Sequence, residues 1–134
     1  MNRNSLLLLV LAITICFVSA DTSNGYYFLR VKNHSAAVWF WLESEQTSGT
    51  WDRTPTSPIN PLASWGNMAF HSADSATVRY NMKPCGWTRT LVLTFGKGGV
   101  TCRVENKGHS DFSCSTNETA PGYYEAIVSA SLCN

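Results

Sequence analysis

The stretch from Tyr26 to Glu43 carries the plainest pattern in the chain. Tyr27, Leu29 and Val31 share one side of an extended segment while Arg30 and Lys32 share the other, the period-two alternation of a half-buried strand. Val38, Phe40 and Leu42 then alternate with Trp39, Trp41 and Glu43. Both sides of that second strand are apolar, so one side faces the core and the other needs a different explanation. The Asn33-His34-Ser35 stretch between them predicts a turn, and the two strands together an opening hairpin.

From Ser44 to Ser64 the chain turns polar and carries prolines 55, 58 and 61, which lack the amide that a central strand requires. This stretch is expected to be loop or edge. Strands resume over Trp65 to Phe70, with Met68 and Phe70 inward, and over Ala76, Val78, Tyr80 and Met82, which alternate with Thr77, Arg79 and Asn81. Leu91, Leu93 and Phe95 alternate with Thr90, Val92 and Thr94, and Gly96-Lys97-Gly98-Gly99 predicts a hairpin onto Val100, Cys102 and Val104. A further strand holds Cys114, residues Ser115 to Gly122 are expected to form a turn, and the last strand places Tyr124, Ala126, Val128, Ala130 and Leu132 on one side. No segment shows helical periodicity. About eight short strands at regular spacing predict an all-β protein, a small antiparallel β-sandwich or closed barrel, with the sandwich preferred.

Ahead of these strands, Arg3 precedes an apolar run from Leu6 to Val18, followed by Ser19 and Ala20. A run of about 13 residues is short of the ~20 that span a bilayer and matches a secretory signal peptide over residues 1–20. The expected product is one secreted, extracellular domain over residues 21–134, with no transmembrane segment in the mature chain. Loss of Arg3 leaves nine basic residues against nine acidic ones. Nucleic acid is thereby excluded as an expected partner, because phosphate binding needs concentrated positive charge. Cys16 belongs to the signal; Cys85, Cys102, Cys114 and Cys133 remain, an even set in an oxidising compartment. Two disulfides are expected, and of three connectivities Cys102 with Cys114 and Cys85 with Cys133 is favoured, because 100–105 and 111–115 read as neighbouring strands whose loop over 106–110 sets 102 opposite 114. No cysteine pair has zinc-ligand spacing, so no metal or cofactor is expected. Asn33-His34-Ser35 and Asn117-Glu118-Thr119 are sequons, which makes Asn33 and Asn117 candidate glycosylation sites.

Catalytic groupings are not legible. His109, Ser110 and Asp111 are triad residue types, but three consecutive residues cannot be oriented around one proton path. The chain is therefore expected not to be an enzyme. Five tryptophans are a denser signal. Trp39 and Trp41 share the side opposite Val38, Phe40 and Leu42, and Trp51, Trp65 and Trp87 fall at or near expected loops. Two readings stand for each: burial under the second sheet or a loop, as is usual for tryptophan, or an exposed ring that binds a ligand.

The order Asn33-His34-Ser35, aromatic strand, Ser48-Gly49-Thr50, Pro58-Ile59-Asn60-Pro61, Phe70, Ser75-Ala76-Thr77-Val78-Arg79-Tyr80 and Leu91-Val92-Leu93-Thr94-Phe95 resembles the β-sandwich of actinoporin and aegerolysin-type cytolysins over residues 26–95. The resemblance implies a module that binds membrane lipid. Actinoporins insert an amphipathic N-terminal helix, whereas Asp21 to Gly25 is short and polar, so the implied module lacks its own pore-forming segment. Their aromatic, proline-containing loop is replaced here by Gly96-Lys97-Gly98-Gly99, and they usually lack these cysteines. Secreted sandwiches with surface tryptophans equally include carbohydrate-binding modules, and a defence or inhibitor protein with a protein partner is a third class. Geometry separates the first two: a coplanar strip of tryptophans on one sheet favours glycan, whereas aromatics clustered on loops at one end favour membrane.

Overall fold

The computed structural model describes residues 25–83, 89–105 and 112–131. The expected signal peptide, Cys85, Trp87, Cys133, Leu132 and the His109-Ser110-Asp111 triplet lie outside the described residues. Among the described residues nine strands follow in order: β1 Tyr27–Asn33, β2 Trp39–Thr47, β3 Thr50–Arg53, β4 Ser64–His71, β5 Ser75–Lys83, β6 Thr90–Gly96, β7 Gly99–Glu105, β8 Phe112–Ala120 and β9 Tyr123–Ala130. They form two sheets, a five-stranded one ordered β3-β4-β1-β9-β8 and a four-stranded one ordered β2-β5-β6-β7. There is no helix among the described residues. All pairs are antiparallel except β1 with β9, which run parallel.

The all-β sandwich is as the alternation predicts, and the core is its arithmetic consequence. Leu29 and Val31 of β1, Met68 and Phe70 of β4, and Tyr124, Ala126 and Val128 of β9 come from the five-stranded sheet. Phe40, Val78, Tyr80, Leu91, Leu93 and Phe95 meet them from the four-stranded one, and all are buried in one cluster. Phe70 is the hinge between the layers, its ring 5.1 Å from Phe95 and edge-on to it. The predicted hairpin at Gly96 is present: Gly96 pairs with Gly99 across a two-residue loop, and Gly96 has φ +154°, a conformation that a side chain would strain.

Two expectations are corrected. β1 and β2 do not pair: β1 lies between β4 and β9, whereas β2 pairs with β5 in the opposite sheet. The segment between them therefore crosses from sheet to sheet, and alternation cannot distinguish a crossing from a hairpin because both leave the inward residues inward. The polar stretch 44–64 is loop and edge as expected: it contains the end of β2 and all of β3, both at sheet edges, where one side of the backbone can stay solvated. Ser115 to Ala120 is not a turn but the outer half of β8, also an edge strand; only Pro121 and Gly122 turn.

The sheet crossing is held by the sequon. Asn33 is wholly buried; its Nδ2 donates to the carbonyls of Val38 (2.7 Å) and Ile59 (3.0 Å), and its Oδ1 accepts the Ser35 amide at 3.1 Å. Ser35 Oγ in turn accepts the Ala130 amide at 3.0 Å, tying in the end of β9. The backbone carbonyls of the same two residues receive Ala63 and Leu62, each at 2.9 Å. Leu62 and Ala63 both have positive φ, near 65°, a strained conformation for residues with a Cβ. Ile59 bridges to Phe40, and Gly66 of β4 lets it in, since a Cβ there would stand 2.5 Å from Ile59 Cδ1. Asn33 thus serves packing, and its burial is incompatible with a glycan on Nδ2.

Cys102 and Cys114 are bonded, as the spacing favours. The bond joins β7 to β8, the edge strands of opposite sheets, and so closes one side of the sandwich rather than linking sheet neighbours. Cys85 and Cys133, the other expected pair, lie outside the described residues.

Candidate functional site

β2 is the outer strand of the four-stranded sheet. Its inward residues Val38 and Phe40 are buried, which turns Trp39 and Trp41 to solvent with 38% and 45% of their surface exposed. The two rings are two residues apart on one side of one strand, so their Cα atoms are separated by about 6.8 Å. This is the platform that the sequence places opposite the core. Across the ladder, Trp39 pairs with Lys83 and Trp41 with Asn81. Asn81 in turn pairs with Thr90, and Thr90 with Glu105, so a row of polar side chains runs away from Trp41 across the sheet.

That row is organised by charge. A β-bulge between Leu42 and Ser44 frees Glu43 from the ladder, and Glu43 Oε2 lies 3.5 Å from the Thr90 hydroxyl. Arg103 Nη1 donates to Glu105 Oε1 at 2.8 Å, and Arg79 Nη2 reaches the other carboxylate oxygen. The hydrogen bond from Arg103 first, then that from Arg79, hold the Glu105 carboxyl below its ordinary range. Arg79 and Arg103 flank Val92 in the ladder, and Val92 is 3% exposed although it faces outward. Their aliphatic stems keep it from water.

One atom in the row is unmatched. The side-chain oxygen of Asn81 is buried and has no donor among the described residues. A buried acceptor without a partner is costly, on the order of 1–3 kcal/mol, and calls for a reason. It sits beside the exposed Trp41. The other unmatched group, the guanidinium of the 2% exposed Arg89, lies at the start of β6 next to residues outside the description.

The remaining tryptophans separate. Trp51 is on β3, paired with Phe70, and its ring meets Phe70 at 6.0 Å and 71°, so it packs on the rim of the core. Trp65 is near the start of β4, as the strand expected from Trp65 to Phe70 implies, and is half-buried, with Arg30 Cζ 4.1 Å and Lys32 Nζ 5.3 Å from its ring centre. Trp87 lies outside the described residues. The structure brings Trp39 and Trp41 together and does not bring Trp51 or Trp65 to them. Asn117 is exposed on β8, where a glycan has room.

Glu43 shares the side of Trp41 by alternation, whereas Asn81 and Thr90 carry no mark in the sequence and enter the row through strand register alone. Among the described residues no three His, Cys, Asp or Glu side chains gather as metal ligands, and no helix is long and apolar enough to cross a membrane. Among the described residues the nearest arrangement to acid–base chemistry is His71, whose Nδ1 lies 2.8 Å from both Asp52 carboxylate oxygens, the two side chains 40% and 32% exposed at the β3–β4 edge. No protein-family model matches the chain, and no curated protein is similar to it.

Proposed function

We propose that this is a secreted, non-enzymatic carbohydrate-binding module whose ligand lies on the outer face of the four-stranded sheet. The observation that carries the reading is the pair Trp39 and Trp41, exposed on one side of an edge strand and continuous with the polar row Asn81, Thr90 and Glu105. Planar, amphipathic rings offer apolar area with little entropy to lose, and sugar rings present a matching flat C–H face. The Asn81 amide and the Glu105 carboxylate beside them match sugar hydroxyls, with Thr90, only 4% exposed, backing the row. A hydroxyl that reaches the Asn81 oxygen as the covering side chains shift would also supply its missing donor.

Lipid binding is the second reading, and one observation favours it. Leu62 is 77% exposed at the end of the sandwich in a left-handed conformation held by two buried residues, the kind of fixed apolar tip that enters a headgroup layer. The test is a glycan array run beside flotation with liposomes of varied composition. Retention on glycans, lost in a Trp41→Ala variant, supports the proposal. Flotation without glycan retention would replace it with the lipid reading.

A further inference from the structure

The five-stranded sheet has its own outward face, and β1 runs through its middle. Phe28, Arg30 and Lys32 point outward there. Neither cation has a carboxylate within ion-pair distance among the described residues, where the ion pairs join His71 to Asp52 and Glu105 to Arg79 and Arg103. Glu125 of β9 is level with Arg30 in the ladder, yet the guanidinium leans the other way, onto the face of Trp65. Arg30 and Lys32 are thus held over one ring with their charge unneutralised. A cation–aromatic contact fixes a guanidinium without using its N–H donors.

Beside Arg30 lies a hollow of about 450 Å³, walled by Phe28 and Tyr123 and bordered by Glu125 and by Thr119 from the bulged end of β8. The two aromatic rings are 5.9 Å apart and inclined at 43°. This volume is within the range of small-ligand pockets. An aromatic wall, a carboxylate acceptor, a hydroxyl and an adjacent pair of cations together describe one ligand chemistry. We propose that this face is a second site, which takes an acidic polysaccharide: a sugar ring against Phe28 and Tyr123, ring hydroxyls toward Glu125 and Thr119, and the sugar carboxylate on Arg30 with Lys32 behind it. Glu125 disfavours densely charged polyanions, so the charge complementarity is to one carboxylate per sugar ring. The two faces lie on opposite sheets and share no residue, so each can be lost without the other.

The test is affinity electrophoresis of the full chain in gels containing polygalacturonate, alginate or hyaluronate, against fully methyl-esterified polygalacturonate, which keeps the backbone and removes the charge. Retardation by a carboxylated polymer is expected, with a loss of about tenfold or more in affinity in Arg30→Gln, as for removal of one charge-assisted hydrogen-bond donor. Arg30 is exposed and central to no core contact, so this variant should keep its circular dichroism. Equal binding of acid and ester, no retardation by any of the three, unchanged binding by Arg30→Gln, or preferential capture by anionic vesicles would overturn the proposal.

Discussion

Replacing Asn33 by alanine should be among the most damaging single changes outside the apolar core. Its amide makes three hydrogen bonds in a shell where Asn33, Ser35, Val38 and Ile59 are each no more than 1% exposed. The Ile59 carbonyl keeps the Phe40 amide at 3.1 Å, so truncation strands two groups, the Val38 carbonyl and the Ser35 amide. At about 1–3 kcal/mol for each buried group left unpaired, the expected cost is roughly 2–6 kcal/mol. Asn33→Asp should cost at least as much, because it keeps the acceptor for Ser35 but sets a carboxylate against two carbonyl oxygens. Asn117→Ala, on an exposed edge, is the control and should stay within about 0.5 kcal/mol. Urea unfolding with a shared m-value gives the differences, and peptide mapping of the secreted protein should find Asn33 unmodified. A cost below about 1 kcal/mol for Asn33→Ala, or a glycan on Asn33, would refute the view that this sequon holds the sheet crossing.

Removing both Cys102 and Cys114 opens a loop of 12 residues. The loop-entropy relation gives a loss of about 3 kcal/mol in urea unfolding, and a loss under about 1 kcal/mol would show that the bond constrains little. Burial, with a smaller contribution from Glu45, raises the Tyr80 phenol above its ordinary value of 10.0, and burial raises Tyr124 likewise. Each hydroxyl donates to a carbonyl, Thr56 and Gly96 respectively. Folded values above unfolded ones mean that this stabilisation is intact below pH 10 and is lost as pH rises from there through the folded values. Urea midpoints should therefore fall from about pH 10 upward; a flat profile to pH 12 would contradict the burial of these phenols.

Inward residues were legible because a two-residue period survives any change of partner. Leu29, Phe40, Met68, Val78, Tyr80, Leu93 and Val128 are core residues as their alternation implies, and Trp39 and Trp41 face out for the same reason. Partnership was not legible. A strand followed by a polar turn and another strand looks the same whether the chain folds back on its own sheet or crosses to the facing one, and the deciding contacts of Asn33 reach to Ile59, far along the chain. The Cys102–Cys114 bond is expected for neighbouring strands joined over 106–110, and a separation of 12 residues allows it equally between edge strands of facing sheets. Prolines and polar residues around Trp51 point to a loop or an edge, and it stands on the edge strand β3, where both are tolerated. The Arg30–Trp65 contact and the place of Asn81 beside Trp41 follow from register, which alternation leaves open.

The central claim is that the Trp39 and Trp41 face binds a glycan without contributing to the core. The direct measurement is titration calorimetry of wild type and Trp39→Ala/Trp41→Ala with the polysaccharide retained on the array, beside urea unfolding of both proteins. Binding should weaken by on the order of 2 kcal/mol or more for the pair of anchors, while stability changes by far less than the roughly 3–5 kcal/mol expected for a single buried tryptophan. Unchanged affinity in the double variant, or a loss of stability as large as that of a core truncation, would contradict it.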